Sequence, residues 1–182
     1  MAEPGSAGGF DASQALRLYE SMLYDVVYDA LPSLLSRFVG TGGFIGVYDV
    51  ISSAARKVFE PLARMARVES LRDAARLMRA MAEVHNRFGE GLVETVPRLV
   101  VRIESDHEAV VECEGVGYRG SNHELVPVVM AGLVGGFLAA LGFRVKPLRS
   151  IESLRFLRDG EIGVVAEGDG RRCRVRVVAK QG

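Results

Sequence analysis

The sequence predicts an α+β domain: N-terminal helices packed on a small antiparallel sheet, with one buried glycine-rich helix. Three observations carry this. Up to about Gly89 the apolar residues recur at helical spacing. From Arg98 onward the period falls to two. Residues 125–143 then contain no charged side chain, yet hold Pro127, Gly132, Gly135, Gly136 and Gly142. Helices first, then hairpin, helix, strand and hairpin, is the order of an α+β chain rather than of alternating β and α units.

The elements follow in order. Asp11 and Gln14 resemble a capping box, and Leu16, Tyr19, Leu23, Val26, Val27 and Ala30 continue at helical spacing until Pro32 breaks or kinks the helix. A short apolar run, Leu34 to Val39, leads to the turn Thr41-Gly42-Gly43. A second helix carries Ile45, Tyr48, Ile51, Ala55, Val58 and Phe59 on one stripe, and Pro61 ends or bends it. A third helix starts at Ser70, with Asp73 three residues on as in a capping box. Leu71, Ala74, Ala75, Met78, Met81, Ala82, His85 and Phe88 hold the i, i+3, i+4 spacing until Gly89 and Gly91. Residues 98–113 read as a hairpin turning at Ser105-Asp106-His107, although Val100 interrupts its polar face. The uncharged helix comes next, then a strand from Phe143 to Leu148 and a short helix from Glu152 to Leu157. A second hairpin, Ile162 to Ala166 and Cys173 to Val178, turns at Gly168-Asp169-Gly170.

The uncharged segment is just long enough to span a bilayer. Its glycines, its proline and the strands on both sides argue for a helix buried in protein. Gly132 and Gly136 share one face at the four-residue spacing that lets another backbone approach closely. That neighbour is the sheet, an N-terminal helix or a second subunit.

At 182 residues the chain reads as a disordered lead-in over 1–10 and a single ligand-binding-type domain over 11–182. A chain of this length buries roughly 70% of its unfolded surface and needs no disulfide to fold. Lys plus Arg and Asp plus Glu are 23 each, so no net charge draws it to nucleic acid or anionic lipid. Arg171, Arg172, Arg174 and Arg176 form a local basic cluster that largely alternates along a strand and reads as a solvated face. Cys113 and Cys173, 60 positions apart, do not make a disulfide framework, and MAEPGSAGGF is not a signal peptide. The expected compartment is a reducing cytoplasm. The abundance of Arg and the scarcity of Gln resemble a thermophile's composition.

No catalytic machinery assembles from the sequence. Gly115-x-Gly117-x-x-Gly120 follows a strand and precedes a helix, as a dinucleotide-binding loop would. But Ser121 and Glu124 form S-x-x-E and put the helix start after the third glycine. Lys146 and Arg149 stand where an acidic ribose partner is expected. A glycine-rich strand-to-helix connection explains the motif. Among His85, His107 and His123, His107 falls in a turn, and a cation at His123 would oppose the helix dipole. His85 sits on an apolar stripe, where a hydrogen-bonded core histidine is commoner than a ligand. Cys113, Cys173, His85 and His123 lack zinc-ligand spacing. Aromatic and methionine residues crowd the helical half, and a helical layer over a sheet leaves a seam for an apolar pocket.

The segment order resembles the vinyl-reductase (hydrocarbon-binding) domain family, related to the Golgi transport-particle (TRAPP) subunits and to heme nitric-oxide sensor domains. Phe38-Val39-Gly40 with Gly42-Gly43-Phe44-Ile45-Gly46 carry it, then Phe88-Gly89-Glu90-Gly91, the hairpin 98–113, Val134-Gly135-Gly136-Phe137, Phe143-Arg144-Val145 and Cys173-Arg174-Val175-Arg176-Val177, about three quarters of the chain. The resemblance implies an α+β ligand-binding fold that dimerises through its helices and holds an apolar or aromatic molecule between helices and sheet. It departs from the family at the metal: His123-Glu124 opens the glycine-rich helix without cysteine, and only Cys173 remains of a C-terminal pair. The Tyr-x-Ser-x-Arg motif of the heme relatives is missing. The expectation is therefore a domain with no cofactor, neither heme nor zinc.

The functional expectation is a cytoplasmic, homodimeric module that binds an apolar or aromatic small molecule, with no residue assigned a catalytic role. Phe44, Tyr48, Met78, Met81, His85 and Phe88 would line its pocket, His85 as the polar anchor. The alternatives are a scaffold subunit of the transport-particle type, with a protein partner, and a cofactor-binding enzyme. No direct nucleic-acid contact and no membrane span are expected.

Overall fold

In the computed structural model, residues 43–89, 98–114, 125–168 and 173–180 are described, together with the isolated positions Val26, Ala30, Leu34 and Arg37. The lead-in 1–10, most of the first predicted helix, the Gly115–Gly120 loop, Ser121 and His123 lie outside them.

Helix α1 spans Gly43–Met65 and buries Val47, Tyr48, Ile51 and Ala55. Their three- and four-residue spacing makes one apolar stripe. Pro61 lies inside this helix rather than ending it. Only the intrahelical bond to the Lys57 carbonyl is lost there, one turn from the end. Helix α2 spans Leu71–Gly89. The Asp73 amide donates to Ser70 Oγ at 3.2 Å, and that hydroxyl donates to the Asp73 carboxylate at 2.7 Å. This is the reciprocal cap read from Ser70 and Asp73. It also holds the Asp73 carboxyl below its ordinary pKa, the Ser70 hydrogen bond being the main cause.

Strands β1 (Arg98–Ile103) and β2 (Glu108–Glu114) form the first hairpin. Helix α3 (Val126–Ala140) follows, then β3 (Arg144–Leu148), a 3-10 turn (Ile151–Phe156), β4 (Glu161–Glu167) and β5 (Cys173–Ala179). The five strands lie in the order β1-β2-β5-β4-β3. The sheet is mixed rather than wholly antiparallel, because β3 pairs parallel to β4. The 3-10 turn carries the chain back to the same end of the sheet, so both strands run in one direction. β3 is an edge strand, which is where Pro147 is tolerated.

Alternation sorts the sheet faces. Val101, Ala109, Val111, Cys113, Ile162, Val164, Cys173, Val175 and Val177 belong to the main core. On the other face Glu112 lies between Arg102 and Arg174, and Glu167 between Arg174 and Arg176, which also pairs with Glu108. The arginines of β5 are thus ion-paired on the solvent side, in keeping with a hydrated strand face.

Helix α3 begins at Val126 with Pro127 in its first turn and no side-chain cap, later than the start expected after Ser121. Pro127 suits that place because its missing N–H has no partner in a first turn. The helix is buried on nearly all sides: Val126–Gly132, Val134–Gly136, Phe137 and Leu138 are inaccessible. Its glycine face meets α1. A Cβ on Gly132 would lie 2.8 Å from Ile51 Cβ, and one on Gly136 would lie 2.6 Å from Ala55 Cβ and collide with the Ser52 carbonyl. The close neighbour is therefore an N-terminal helix of the same chain. Among the described residues, no helix is long and apolar enough to cross a membrane.

The cysteines differ from their expectation. Cys113 and Cys173 face each other directly in the β2–β5 register and are joined as a disulfide, with Cα atoms 5.0 Å apart. Sequence separation hid this pairing, because β5 is the last strand of the chain yet lies beside the second.

Candidate functional site

α2 covers β1 and β2, while α3 covers the rest of the inner face and carries α1 on its back. Between α2 and α3 a seam remains. It forms a cavity of about 240 Å³. Leu99, Val101 and Val111 make its floor, Met78, Met81, Ala82 and His85 one wall, and Met130, Leu133, Val134 and Phe137 the other, with Phe59 of α1 above.

The position of α2 is fixed by a polar clamp on the outer edge of β1. Asn86 Nδ2 donates to the Leu99 carbonyl at 2.8 Å, and the Leu99 amide donates to Asn86 Oδ1 at 2.8 Å. Arg79 Nε donates to the Val101 carbonyl at 3.1 Å. These bonds satisfy backbone groups that an open strand edge would present to solvent. Because His85 precedes Asn86 and Met78 precedes Arg79, the clamp also sets where the cavity wall stands.

The lining is chemically uniform. His85, half-buried, is the one polar side chain among the lining residues. No carboxylate, Lys or Arg lines the cavity. Phe59 and Phe137 meet edge to face, centroids 5.3 Å apart at 88°. Met78, Met81 and Met130 converge from two helices. Thioethers are polarisable and flexible, so they fit the edges and faces of apolar guests without a fixed hydrogen-bond pattern. With neither a nucleophile nor a carboxylate in the lining, the arrangement can enclose an apolar molecule and offer one imidazole.

Of the six residues predicted for the pocket, Met78, Met81 and His85 line this cavity. Tyr48 lies instead in the α1–α3 contact, 4% exposed, against Gly135. Burial pushes its phenol up to about 12, against a hydrogen bond with Ser52 that lowers it. Phe44 packs on the rim of the main core rather than in the cavity lining. Phe88 lies in the last turn of α2, with its side chain outside the described residues. The sequence reading missed Met130, Leu133, Val134 and Phe137. Helix α3 is apolar on every face, so no periodicity in the sequence singles them out. Among the described residues no cluster of His, Cys, Asp and Glu is placed to hold a metal ion.

No protein-family model and no curated protein sequence matches the chain. Among solved structures, one described as "Probing the function of heme distortion in the H-NOX family" is similar over 93% of this chain and 91% of that chain, at 15% identity and a TM-score of 0.44. A likeness of that degree is distant, and neither ligand nor activity follows from it.

Proposed function

We propose that this chain is a small-molecule-binding module, sensory or regulatory rather than catalytic, whose ligand is a neutral apolar or aromatic compound. The carrying observation is the cavity between α2 and α3, with an apolar lining interrupted only by His85. An apolar cavity of about 150 Å³ holds benzene. The 240 Å³ seam therefore suits a guest of about nine or ten carbon atoms. A charged guest would lose its hydration and find no counter-ion. His85 is the polar anchor, and Phe44 and Tyr48 support the helices that enclose the site.

A second reading, a scaffold or interaction subunit, is favoured by one observation: Val58 and Met65 on α1 are 72% and 79% exposed. Such side chains suit a contact with a second copy or another protein.

Naphthalene distinguishes the two. The chain has no Trp, so naphthalene fluorescence is readable against five tyrosines. Saturable binding is expected with the wild-type protein and with Met65→Glu, and its loss with Met81→Glu. Absence of binding to the wild type, or equal binding by Met81→Glu, refutes the ligand reading and moves weight to the scaffold. Native mass spectrometry of protein taken from cells, followed by denaturing extraction, then identifies any natural guest and reports whether the protein is a dimer.

A further inference from the structure

The disulfide lies beside the cavity. Cys113 is the register partner of Leu99 on one side and of Cys173 on the other. It is also two residues from Val111, on the same face of β2. Leu99 and Val111 both belong to the cavity floor. Both cysteines belong to the same core cluster as Met130 and Val134 of the opposite wall. The cross-link thus closes the rung on which one end of the floor rests.

A further feature separates it from a simple staple. The β2–β5 ladder runs through five other paired positions, from Glu108–Val178 to Glu112–Arg174, so those strands stay paired without the bond. The cysteines are only 4% and 2% exposed, so exchange proceeds from a locally opened state.

We infer that Cys113 and Cys173 form a reversible thiol–disulfide couple that sets the affinity of the cavity, an inference that rests on the ligand reading above. On oxidation each thiol gives up one proton and one electron, and the S–S bond forms. The two electrons and two protons pass to a small-molecule disulfide, whose own S–S bond breaks to give two thiols. The exchange proceeds by thiolate attack through a mixed disulfide. Packing sets the sign. Two thiols stand at van der Waals rather than covalent separation, about 1.5 Å further apart. In a close-packed interior that extra width displaces neighbours. Leu99 shares the rung, Val111 lies on the next inward position, and the adjoining free volume is the cavity. Reduction therefore crowds the floor, and the oxidised protein binds the guest more tightly.

The test titrates naphthalene into wild-type protein oxidised with glutathione disulfide and into the same protein reduced with dithiothreitol. Circular dichroism reports the fold, and alkylation with mass measurement reports the thiol state. The oxidised form should bind at least about fivefold more tightly, within the usual range of site-to-site coupling. Because coupling is reciprocal, saturating naphthalene should shift the thiol–disulfide equilibrium in glutathione buffer toward the disulfide by the same factor. The double variant Cys113→Ala, Cys173→Ala should bind with one affinity in both buffers. Equal affinity of the two wild-type forms overturns the coupling and leaves the ligand reading standing. Unfolding of the reduced form also overturns it, because the bond is then a staple. Absence of binding in either form overturns both.

Discussion

Gly136→Ala puts the packing of α1 on α3 to the most direct test. The added methyl would collide with the Ser52 carbonyl and lie 2.6 Å from Ala55 Cβ and 2.9 Å from the Arg56 amide nitrogen. Carbon atoms in contact normally stand ~3.5–4 Å apart. Helix α1 would have to retreat by about 1 Å to restore that spacing. Backbone atoms form most of the obstacle, so no rotamer change relieves it. Overpacking in cores costs about 1–3 kcal/mol and occasionally more. A backbone obstacle belongs at the top of that range, at ~3–4 kcal/mol. Alanine returns about 1 kcal/mol through its better helix propensity. The net loss is then about 2–3 kcal/mol, or a fall of about 1–1.5 M in the urea midpoint at a typical slope near 2 kcal/mol/M. Gly142→Ala is the matched control. Gly142 has φ +92° and nothing within 4 Å of where an added methyl would stand, so it loses only the ~1 kcal/mol of a left-handed backbone. Both are read by urea denaturation followed by circular dichroism. A Gly136→Ala protein as stable as wild type, or more so, would refute the close approach of the two helices.

Other perturbations probe the site and its supports. The Tyr48 phenol is raised to about 12 in the fold by burial. Its protonated form is favoured, so its contribution is intact below the unfolded value near 10 and is lost as pH rises toward 12. The loss approaches about 3 kcal/mol. Urea midpoints between pH 9 and pH 12 should fall more steeply for wild type than for Tyr48→Phe, and parallel curves would contradict the assignment. Asn86→Ala removes both hydrogen bonds to Leu99 and should cost about 1–3 kcal/mol, speed exchange of the Leu99 amide, and weaken naphthalene binding as α2 loses its anchor. Unchanged exchange at Leu99 would show that the clamp does not hold the edge. Met81→Glu should abolish naphthalene binding while leaving the circular dichroism spectrum of the wild type, whereas Met65→Glu, on the exposed side of α1, should change neither.

What the sequence disclosed and what it withheld divide along local and non-local physics. The Ser70–Asp73 cap, the hairpin at Ser105–His107 and the uncharged helix 126–140 are each written within a few residues, by capping chemistry, period-two alternation and the absence of charge. The parallel pairing of β3 with β4 is not. It depends on the chain direction after a 3-10 turn whose six residues look like any short helix. Met78, Met81 and His85 were legible as a wall because they share one stripe of one helix. Met130 and Phe137 were not, because α3 is apolar on every face and periodicity cannot say which face meets a cavity. Cys113 and Cys173 were hidden for a like reason. A separation of 60 residues says nothing about contact until strand order is known, and strand order places the last strand beside the second. The glycines give the opposite lesson. Gly132 and Gly136 announce a close neighbour through spacing alone, but the identity of that neighbour lies in α1, where Ile51, Ser52 and Ala55 supply the complementary surface. The cavity exists where that complementarity stops: α1 presses α3 toward β4 and β5, α2 is clamped to the far edge of the sheet, and the seam between them is lined by whatever apolar side chains the two helices have left over.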